Sequence, residues 1–131
     1  AYGIQLTRSF RALKLWMTLK VFGRKHVAEA VRRGFELAKQ AERLLRERAG
    51  WEIVTPAQMG IVTFRCVPDG VTTDKIDALN RRLAPAISEE GEIFLTQTSL
   101  HGRPVLRLCP INPRTTENDL RDTIDRLDQV R

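Results

Sequence analysis

The sequence predicts an α/β domain of the α+β type, in which a four-stranded, mainly antiparallel sheet is covered on one face by helices and preceded by two N-terminal helices. Three observations support this fold class. Apolar residues recur at helical spacing over the first fifty residues, and β-branched runs separated by turn residues follow them. Short connections between these runs favour hairpins and hence antiparallel pairing. The 131 residues suffice for one domain and leave little room for a second.

The N-terminal part of the chain is predicted to contain an extended segment and two helices. Residues 2–8 are expected to be extended, and Ser9 is a suitable N-cap for a helix over 10–22. Gly23 interrupts the apolar pattern. A longer helix is predicted over 24–48, because the apolar residues there keep the 3.6-residue period while charged residues occupy the other side.

The chain then changes to strands and a third helix. Two β-branched runs, over 51–55 and 61–67, are separated by Pro, Gln and Gly and predict the first pair of strands. Thr72 or Thr73 is expected to cap a helix that runs to about residue 88, with its apolar residues on one face. Pro85 is expected to bend or shorten this helix, because proline cannot donate the backbone hydrogen bond of its turn.

The C-terminal third predicts a second hairpin and a last helix. Strands are expected over 92–99 and 103–109, joined by the turn sequence LHG at 100–102. Thr116 followed by Asp119 resembles a capping box, made with Asp in place of the usual Glu, at the start of the last helix. The predicted order of elements is therefore α–α–β–β–α–β–β–α.

The positive charge of the chain is concentrated at its front. Residues 1–50 hold twelve Lys and Arg against four Glu, and residues 51–131 hold ten against twelve Asp and Glu, so net charges of +8 and −2 make up the formal +6. A nucleic-acid partner is one interpretation of this basic region. However, Phe10, Trp16 and Phe35 fall on apolar helix faces, which favours packing in the core over stacking on bases. A surface that faces something acidic or negatively polarised is a second interpretation, and a solvated helix face whose cations pair with Glu is a third.

The sequence offers few groups for catalysis. Cys66 and Cys109 lie in apolar runs and lack the spacing of a disulfide framework or a zinc site, which favours buried thiols and a reducing, cytoplasmic setting. His26 is expected on a solvated helix face and His101 in a solvated turn, with a role at the mouth of a site as the alternative for His101. No run of about 18 apolar residues predicts a membrane span.

Five blocks of sequence carry a resemblance to a known family. The run LTRSFRALKLW at 6–16 resembles the stretch that opens the C-terminal domain of the group II pyridoxal-phosphate-dependent amino-acid decarboxylases. This family includes the aromatic-L-amino-acid, tyrosine and histidine decarboxylases. LNRRL at 79–83, FLTQT at 94–98, VLRL at 105–108 and NPRTT at 112–116 follow in the family's order. The resemblance covers nearly the whole chain.

The resemblance implies that this chain is the small C-terminal domain of a fold-type I pyridoxal-phosphate enzyme. It implies one domain over 1–131, with a linker strand and docking helix over 1–23 and an α-ββαββα body over 24–131. In the family an upstream large domain holds the Schiff-base lysine, which follows a histidine. None of the five lysines here does so: Lys14, Lys20, Lys25, Lys39 and Lys75. The isolated chain is therefore expected to bind no cofactor.

The implied parent enzyme decarboxylates an L-amino acid, preferably an aromatic one, and releases CO₂ through an external aldimine. The implied partners are the upstream large domain, a second subunit of a homodimer and the amino-acid substrate, with no nucleic acid and no membrane. Because these protein partners lie outside the chain, the helix over 10–22 is expected to expose an apolar face that includes Leu13, Trp16 or Met17.

The resemblance also implies a small set of site residues, none of them catalytic and none a metal ligand. Thr7 is expected near the cofactor phosphate of the partner subunit, at a position where the family commonly has Gly. Arg8 and Arg11 are expected in interdomain salt bridges or at the edge of the active site. Arg107, which alternation points away from its leucine neighbours, is expected either at the active-site entrance or in an ion pair with the large domain.

Two other functions remain open from the residues alone. The β–β–α–β–β–α order is compatible with a stand-alone binding or regulatory module that has a ferredoxin-like sheet. The basic first third is compatible with a nucleic-acid-binding domain.

Overall fold

Three helices and four strands make up the described part of the chain, residues 10–88 and 95–131 of the computed structural model. In chain order they are α1 Arg11–Arg46, β1 Trp51–Gln58, β2 Ile61–Cys66, α2 Thr73–Ser88, β3 Thr96–Leu100, β4 Arg103–Leu108 and α3 Glu117–Val130. The strands form one sheet in the order β1-β2-β4-β3, and every neighbouring pair is antiparallel. The predicted four-stranded antiparallel sheet is confirmed, although the first part of the strand predicted over 92–99 lies outside the described residues.

Both hairpins close through two-residue turns of the same backbone type. Met59 and Gly60 have φ of 50° and 77°, and His101 and Gly102 have φ of 51° and 77°. Two consecutive positive φ values are what a type I′ turn requires, and its twist matches that of the strands it joins. The predicted turn at 100–102 is confirmed.

Strand β1 continues three residues beyond its predicted end. Pro56 suggested a stop, but β1 is an edge strand, where a proline can leave its missing N–H on the unpaired side. The pairing with β2 shifts register between Ile53 and Thr55 and again between Thr55 and Gln58, so the proline lies in an irregular stretch of the ladder.

The two predicted N-terminal helices are the two halves of α1, divided at Gly23. This glycine has φ 76° and ψ 155° and is the non-helical residue within α1. We refer to residues 11–22 as the first half and residues 24–46 as the second half. The second half contacts β1, β2 and α3, and its side chains at Leu37, Ala41 and Leu45 are buried.

The core lies on one face of the sheet, as predicted. Val62 lies opposite Leu108 and Phe64 opposite Leu106, so these side chains point to the same side. All three helices pack against this side. The helical residues of the core are Leu37, Ala41, Leu44 and Leu45 of α1, Leu83, Ala84 and Ile87 of α2, and Leu120, Ile124 and Leu127 of α3.

Helix α2 runs its full predicted length in spite of Pro85. The proline is exposed, while Leu83, Ala84 and Ile87 around it are buried in the core. The hydrogen bond that Pro85 cannot donate would reach the carbonyl four residues back, on the solvent side, so the packing of the helix outweighs the loss.

Asn80 joins α2 to the end of β2. Its Oδ1 accepts from the backbone N–H of Cys66, and its Nδ2 donates to the carbonyls of Cys66 and Ile76, each at 2.8 Å. This fully buried side chain satisfies backbone groups of β2 where the recorded pairing with β4 has already ended at Phe64. It is one of the polar groups that the core accepts because they are hydrogen-bonded.

Helix α3 begins with the predicted capping box. Thr116 Oγ1 accepts from the backbone N–H of Asp119 at 3.2 Å, and Asp119 Oδ2 accepts from the backbone N–H of Thr116 at 2.7 Å. The other end of α3 is tied to the end of α1. Arg48 donates to Asp125 and Asp128, and Trp51 Nε1 donates to Asp128 at 2.8 Å.

The strand topology disagrees with the ferredoxin-like alternative. A ferredoxin-like fold follows the order β-α-β-β-α-β. Here two hairpins lie side by side in the order β1-β2-β4-β3, with α2 between them in the chain. The β–β–α–β–β–α order therefore forms a sheet whose topology differs from that of the ferredoxin-like fold.

Candidate functional site

Arg107 lies on the face of the sheet opposite the core residues Leu106 and Leu108. It sits in β4 between the buried Leu106 and Leu108, and strand alternation turns it to the opposite side. Its side chain is exposed, and Nε donates to Thr96 Oγ1 on β3 at 3.1 Å. The same hydroxyl donates to the carbonyl of Arg107 at 3.2 Å. The predicted orientation of Arg107 is thus observed.

Other polar side chains share this face with Arg107. Thr63 lies opposite it on β2 and is 6% exposed, and Arg65, two residues further along β2, is 4% exposed. Arg65 donates through Nη2 to Asp77 of α2 at 2.7 Å. Thr63 Oγ1 and Arg65 Nε are buried and have no hydrogen-bond partner. Unpartnered buried groups cost stability and are normally few in a native fold, so they mark this face as polar and incompletely satisfied.

Sequence reasoning missed Thr96 and Arg65 as neighbours of the site. The signal for Arg65 was present, since an arginine in the apolar run IVTFRC must be paired when it is buried. Thr96 gave no comparable signal. Its importance depends on the register between β3 and β4, which places Thr96 opposite Arg107.

The other predicted site residues are only partly within the described chain. Thr7 and Arg8 lie outside it. Arg11 is the first residue of α1 and is exposed. The structure therefore gives Arg107 a defined hydrogen-bonded setting, and it places Arg11 on the first half of α1.

The first half of α1 presents a large apolar surface. Phe10 is 70% exposed and Trp16 is 56% exposed, so the predicted packing of these two rings in the core is wrong, and Phe35 is also partly exposed. The expectation that this helix exposes Leu13, Trp16 or Met17 is confirmed, because all three are exposed. The exposed large apolar residues of this region are Phe10, Leu13, Leu15, Trp16, Met17, Val21 and Phe22.

The charges around this apolar surface all have one sign. Residues 11–22 contain Arg11, Lys14 and Lys20 and no acidic residue. Lys20 Nζ lies 5.6 Å from the centre of the Trp16 ring, a cation–π distance that keeps one cation next to the apolar surface. The combined apolar and cationic surface fits a protein partner with acidic or negatively polarised groups better than it fits a second copy of itself.

The lysines of this chain do not form a cofactor site. All five lie in the described residues, and all five side chains are exposed. A Schiff-base lysine needs a lowered pKa, which burial or a neighbouring cation provides. The residues present therefore do not fit the aldehyde-binding part of a pyridoxal-phosphate site.

The remaining titratable groups also form no catalytic set in the part of the chain that the structure describes. His26 and His101 are exposed. Both cysteines are free thiols, and burial raises the pKa of Cys66, which opposes formation of a thiolate. Within residues 10–88 and 95–131 no group of His, Cys, Asp or Glu can hold a metal ion, and no helix is long and apolar enough to cross a membrane.

A concave region lies between the segment after β4 and α3, and several of its polar groups make structural contacts. Thr116 hydrogen-bonds Asp119 and holds the pKa of that carboxyl below its usual value. Asn112 Oδ1 accepts from the backbone N–H of Arg114 at 3.0 Å, and Arg33 of α1 donates to the carbonyl of Thr115 at 2.9 Å. These contacts fix the loop between β4 and α3 onto α1.

Comparison with known proteins places these features in a family. Residues 1–67 match the pyridoxal-dependent decarboxylase conserved domain. An aromatic-L-amino-acid decarboxylase of Bacillus atrophaeus is 46% identical over 119 residues, which is 90% of this chain and 25% of that protein. A phenylacetaldehyde synthase of Arabidopsis thaliana is 37% identical over 121 residues, which is 92% of this chain and 25% of that protein.

A solved structure agrees with the sequence matches. The structure of Oryza sativa TDC with PLP and tryptamine superposes with a TM-score of 0.80 and 28% identity, over 94% of this chain and 26% of that chain. The chain thus spans about a quarter of the length of the relatives it matches. The match to the conserved domain covers half of the chain, and the relatives extend it to nearly all of the sequence. The chain belongs to the pyridoxal-dependent decarboxylase family.

Proposed function

We propose that this chain is the C-terminal portion of a pyridoxal-phosphate-dependent decarboxylase that acts on an aromatic L-amino acid. The observation that carries the proposal is the 46% identity to an aromatic-L-amino-acid decarboxylase along 90% of this chain. The isolated chain has no suitable lysine, so the cofactor belongs to a preceding large domain of the same protein. When bound there, pyridoxal phosphate supplies an electron sink for the electron pair left by departing CO₂.

The first half of α1 is proposed as the surface that docks on the large domain. Its apolar residues supply buried area, and its cations select a negatively polarised counterpart. Residues 1–23 act in this proposal as linker strand and docking helix, and residues 24–131 form the body. The resemblance adds a second subunit, with Thr7 near the cofactor phosphate of that subunit and Arg8 and Arg11 in salt bridges between domains.

Arg107 is proposed to lie at the edge of the active site. The face of the sheet on which it lies carries an exposed guanidinium and contains buried polar atoms without partners. An arginine in this setting can bind a carboxylate through two parallel hydrogen bonds. The alternative for Arg107 is an ion pair with an acidic side chain of the large domain.

A cytoplasmic location is part of the proposal, and nucleic acid is not among the proposed partners. The two cysteines are unpaired, as is usual for proteins in a reducing compartment. The cations of α1 alternate with exposed aliphatic and aromatic residues rather than forming a purely basic stripe, and this pattern favours a protein interface.

The proposed activity is tested on the intact protein that contains this chain, expressed with pyridoxal phosphate. We expect it to bind the cofactor and to convert an aromatic L-amino acid to CO₂ and the corresponding amine. Arg107→Gln should lower kcat/KM by about 10- to 100-fold, the effect of losing hydrogen bonds to a charged group. Arg103→Gln is the matched control on the same strand and should have little effect. Failure of the wild-type protein to bind the cofactor or release CO₂ would refute the proposal.

The docking role of α1 has its own test. Trp16→Asp places a charge in the apolar surface and should lower the Tm of the intact protein by several degrees. The same substitution in the 131-residue chain should leave the Tm unchanged, because Trp16 is exposed there. Equal effects in both proteins would show that Trp16 contributes to the body and not to docking.

An aldehyde-forming activity is the second candidate. The 37% identity to a phenylacetaldehyde synthase covers as much of this chain as the match to the decarboxylase does. The two activities are separated by analysing the product that forms from phenylalanine. An amine supports the decarboxylase, and phenylacetaldehyde with ammonia supports the synthase.

A further inference from the structure

A single hydroxyl group makes two hydrogen bonds to Arg107. Thr96 Oγ1 accepts from Arg107 Nε at 3.1 Å and donates to the Arg107 carbonyl at 3.2 Å. The hydroxyl has one proton to donate and lone pairs to accept with, so both bonds can exist together. They tie the side chain and the backbone of Arg107 to the same atom of the neighbouring strand.

This arrangement limits how the guanidinium can bind a ligand. An arginine can bind a carboxylate from the side, through Nε and one terminal nitrogen, or from the end, through both terminal nitrogens. Thr96 occupies Nε, so the side-on geometry is blocked. Neither terminal nitrogen of Arg107 makes a hydrogen bond in the described structure, so both are available to a ligand.

The other neighbour of Arg107 provides an internal comparison. Thr63 lies opposite Arg107 on β2, just as Thr96 does on β3. Its hydroxyl makes no hydrogen bond to Arg107 or to any other group. The chain therefore has the same residue on both sides of the arginine, and only one of the two holds it.

We propose that Thr96 is a positioning residue, which holds Arg107 so that its two terminal nitrogens receive a carboxylate end-on at the face of the sheet opposite the core. This inference rests on the proposed function for the source of the carboxylate. The carboxylate belongs either to the amino-acid substrate or to an acidic side chain of the large domain. In both cases the chemical group is the same, and the orientation of Arg107 is set by Thr96.

The test uses four variants of the intact protein: Thr96→Val, Thr96→Ser, Thr63→Val and Arg107→Met. Thr96→Val keeps the β-branched shape and removes the hydroxyl, so we expect amino-acid binding to weaken about 5- to 10-fold, as for the loss of one hydrogen bond. Thr96→Ser keeps the hydroxyl and should restore binding to near the wild-type value. Thr63→Val removes an unbonded hydroxyl and should have no such effect.

A double-mutant cycle separates positioning from a general effect on the fold. If Thr96 acts through Arg107, Thr96→Val has no further effect once Arg107→Met is present. An equal loss in both backgrounds would assign Thr96 a purely structural role and overturn the proposal. No effect of Thr96→Val in the wild-type background would overturn it as well.

Binding of the product amine distinguishes the two sources of the carboxylate. The amine lacks the carboxyl group, so a substrate carboxylate predicts weaker binding of the amino acid and unchanged binding of the amine in Thr96→Val. If the carboxylate comes from an acidic side chain of the large domain, Thr96→Val should weaken binding of the amino acid and of the amine by the same factor and should lower the Tm of the intact protein. Either pattern supports the carboxylate site.

A measurement on the 131-residue chain is independent of the proposed function. The NMR signal of the Arg107 Hε proton is identified by its loss in Arg107→Met. In the wild-type chain this proton should exchange with water several-fold more slowly than in the Thr96→Val chain, because the hydrogen bond to Thr96 protects it. Added acetate should shift the Arg107 signals in the wild-type chain and less in Thr96→Val. If the intact protein turns over no amino acid, the proposed function fails. The carboxylate site is overturned as well if acetate shifts the Arg107 signals equally in the wild-type and Thr96→Val chains, or shifts them in neither.

Discussion

The two halves of α1 have similar patterns of apolar residues, but these residues are buried in the second half and exposed in the first. In the second half, Leu37, Ala41 and Leu45 are buried against the sheet and α3. In the first half, the large apolar side chains are exposed. The difference shows that amphipathic spacing does not report whether the rest of the same chain covers the apolar face of a helix.

The charges of the two halves differ in the same way. The second half contains acidic residues and forms the ion pairs Glu36–Lys39 and Glu42–Arg46. The first half has cations and no acidic residue at all. A helix that balances its own charges can face water, whereas a helix with one sign of charge and an apolar surface is suited to a complementary protein surface.

The largest expected difference between the halves comes from matched Leu→Ala substitutions. Leu45 is 0% exposed, so Leu45→Ala should lower the free energy of unfolding of the 131-residue chain by about 3–5 kcal/mol. Leu15 is 62% exposed, so Leu15→Ala should change it by less than about 0.5 kcal/mol. Urea denaturation measures both values. Similar losses at the two positions would show that the first half packs in solution.

A second test asks how much of the packed region depends on charge. Asp128 accepts hydrogen bonds from Arg48 and Trp51 at the junction of α1, β1 and α3. Asp128→Asn removes the charge and leaves a similar shape, and should lower the free energy of unfolding by about 1.5–3 kcal/mol. Asp122→Asn, on an exposed position of the same helix, is the control. A neutral effect of Asp128→Asn would assign the junction to packing alone.

Acid should weaken the packed region through two carboxyl groups. Burial works against the charge of Asp128, but the hydrogen bonds from Arg48 and Trp51 outweigh it and hold the pKa of Asp128 below its usual value. The backbone N–H of Ala57 donates to Glu42 at 2.6 Å and is the main reason why the pKa of Glu42 is also lowered.

The sign of the pH effect follows from these two directions. As pH falls, the unfolded chain takes up protons at the ordinary carboxyl pKa values of about 4, before the folded chain does. The stability from both groups is therefore complete above that range and is lost as pH falls through the lower folded values. Thermal unfolding between neutral pH and about pH 3 should show a falling Tm, and the fall should be smaller in Asp128→Asn. An unchanged slope would contradict the assignment to Asp128.

The smallest expected effect on stability is at Gly23, which separates the halves. Its φ of 76° is unfavourable for alanine, and no other atom lies within 4 Å of the position of an added Cβ. Gly23→Ala should therefore favour a helical backbone at this residue and increase the helical circular dichroism signal. The free energy of unfolding of the body should change by less than about 0.5 kcal/mol, because the first half is not packed on it. A loss above 1 kcal/mol would show that the kink is needed by the body.

Much of the fold was predictable because local and tertiary preferences agree. The turn at His101 and Gly102, the capping box at Thr116 and the apolar faces of α2 and α3 each have a local sequence signature. Predictions failed where tertiary context decided. Pro56 is tolerated because β1 is an edge strand, and Trp16 is left exposed although it lies on an apolar helix face.

The candidate site was predictable only in part. Alternation along β4 gave the direction of Arg107. The hydrogen bonds to Thr96 depend on which strands pair and in which register, and a sequence of this length does not specify either through local signals. The roles of Thr7 and Arg8 came from resemblance to a family, and they stay predictions.

The side chain of Asn80 has a consequence for how this chain meets other molecules. By bonding both backbone groups of Cys66, it leaves no open N–H and C=O pair there for an incoming strand. Pro56 and the register shifts of β1 similarly make one sheet edge a poor template for added strands. The β1 edge of the sheet is thus a poor site for edge-to-edge aggregation, whereas the first half of α1 exposes large apolar side chains. We therefore expect this chain to associate through the first half of α1. The cations of this half disfavour pairing with an identical helix, and they favour the proposed contact with the large domain.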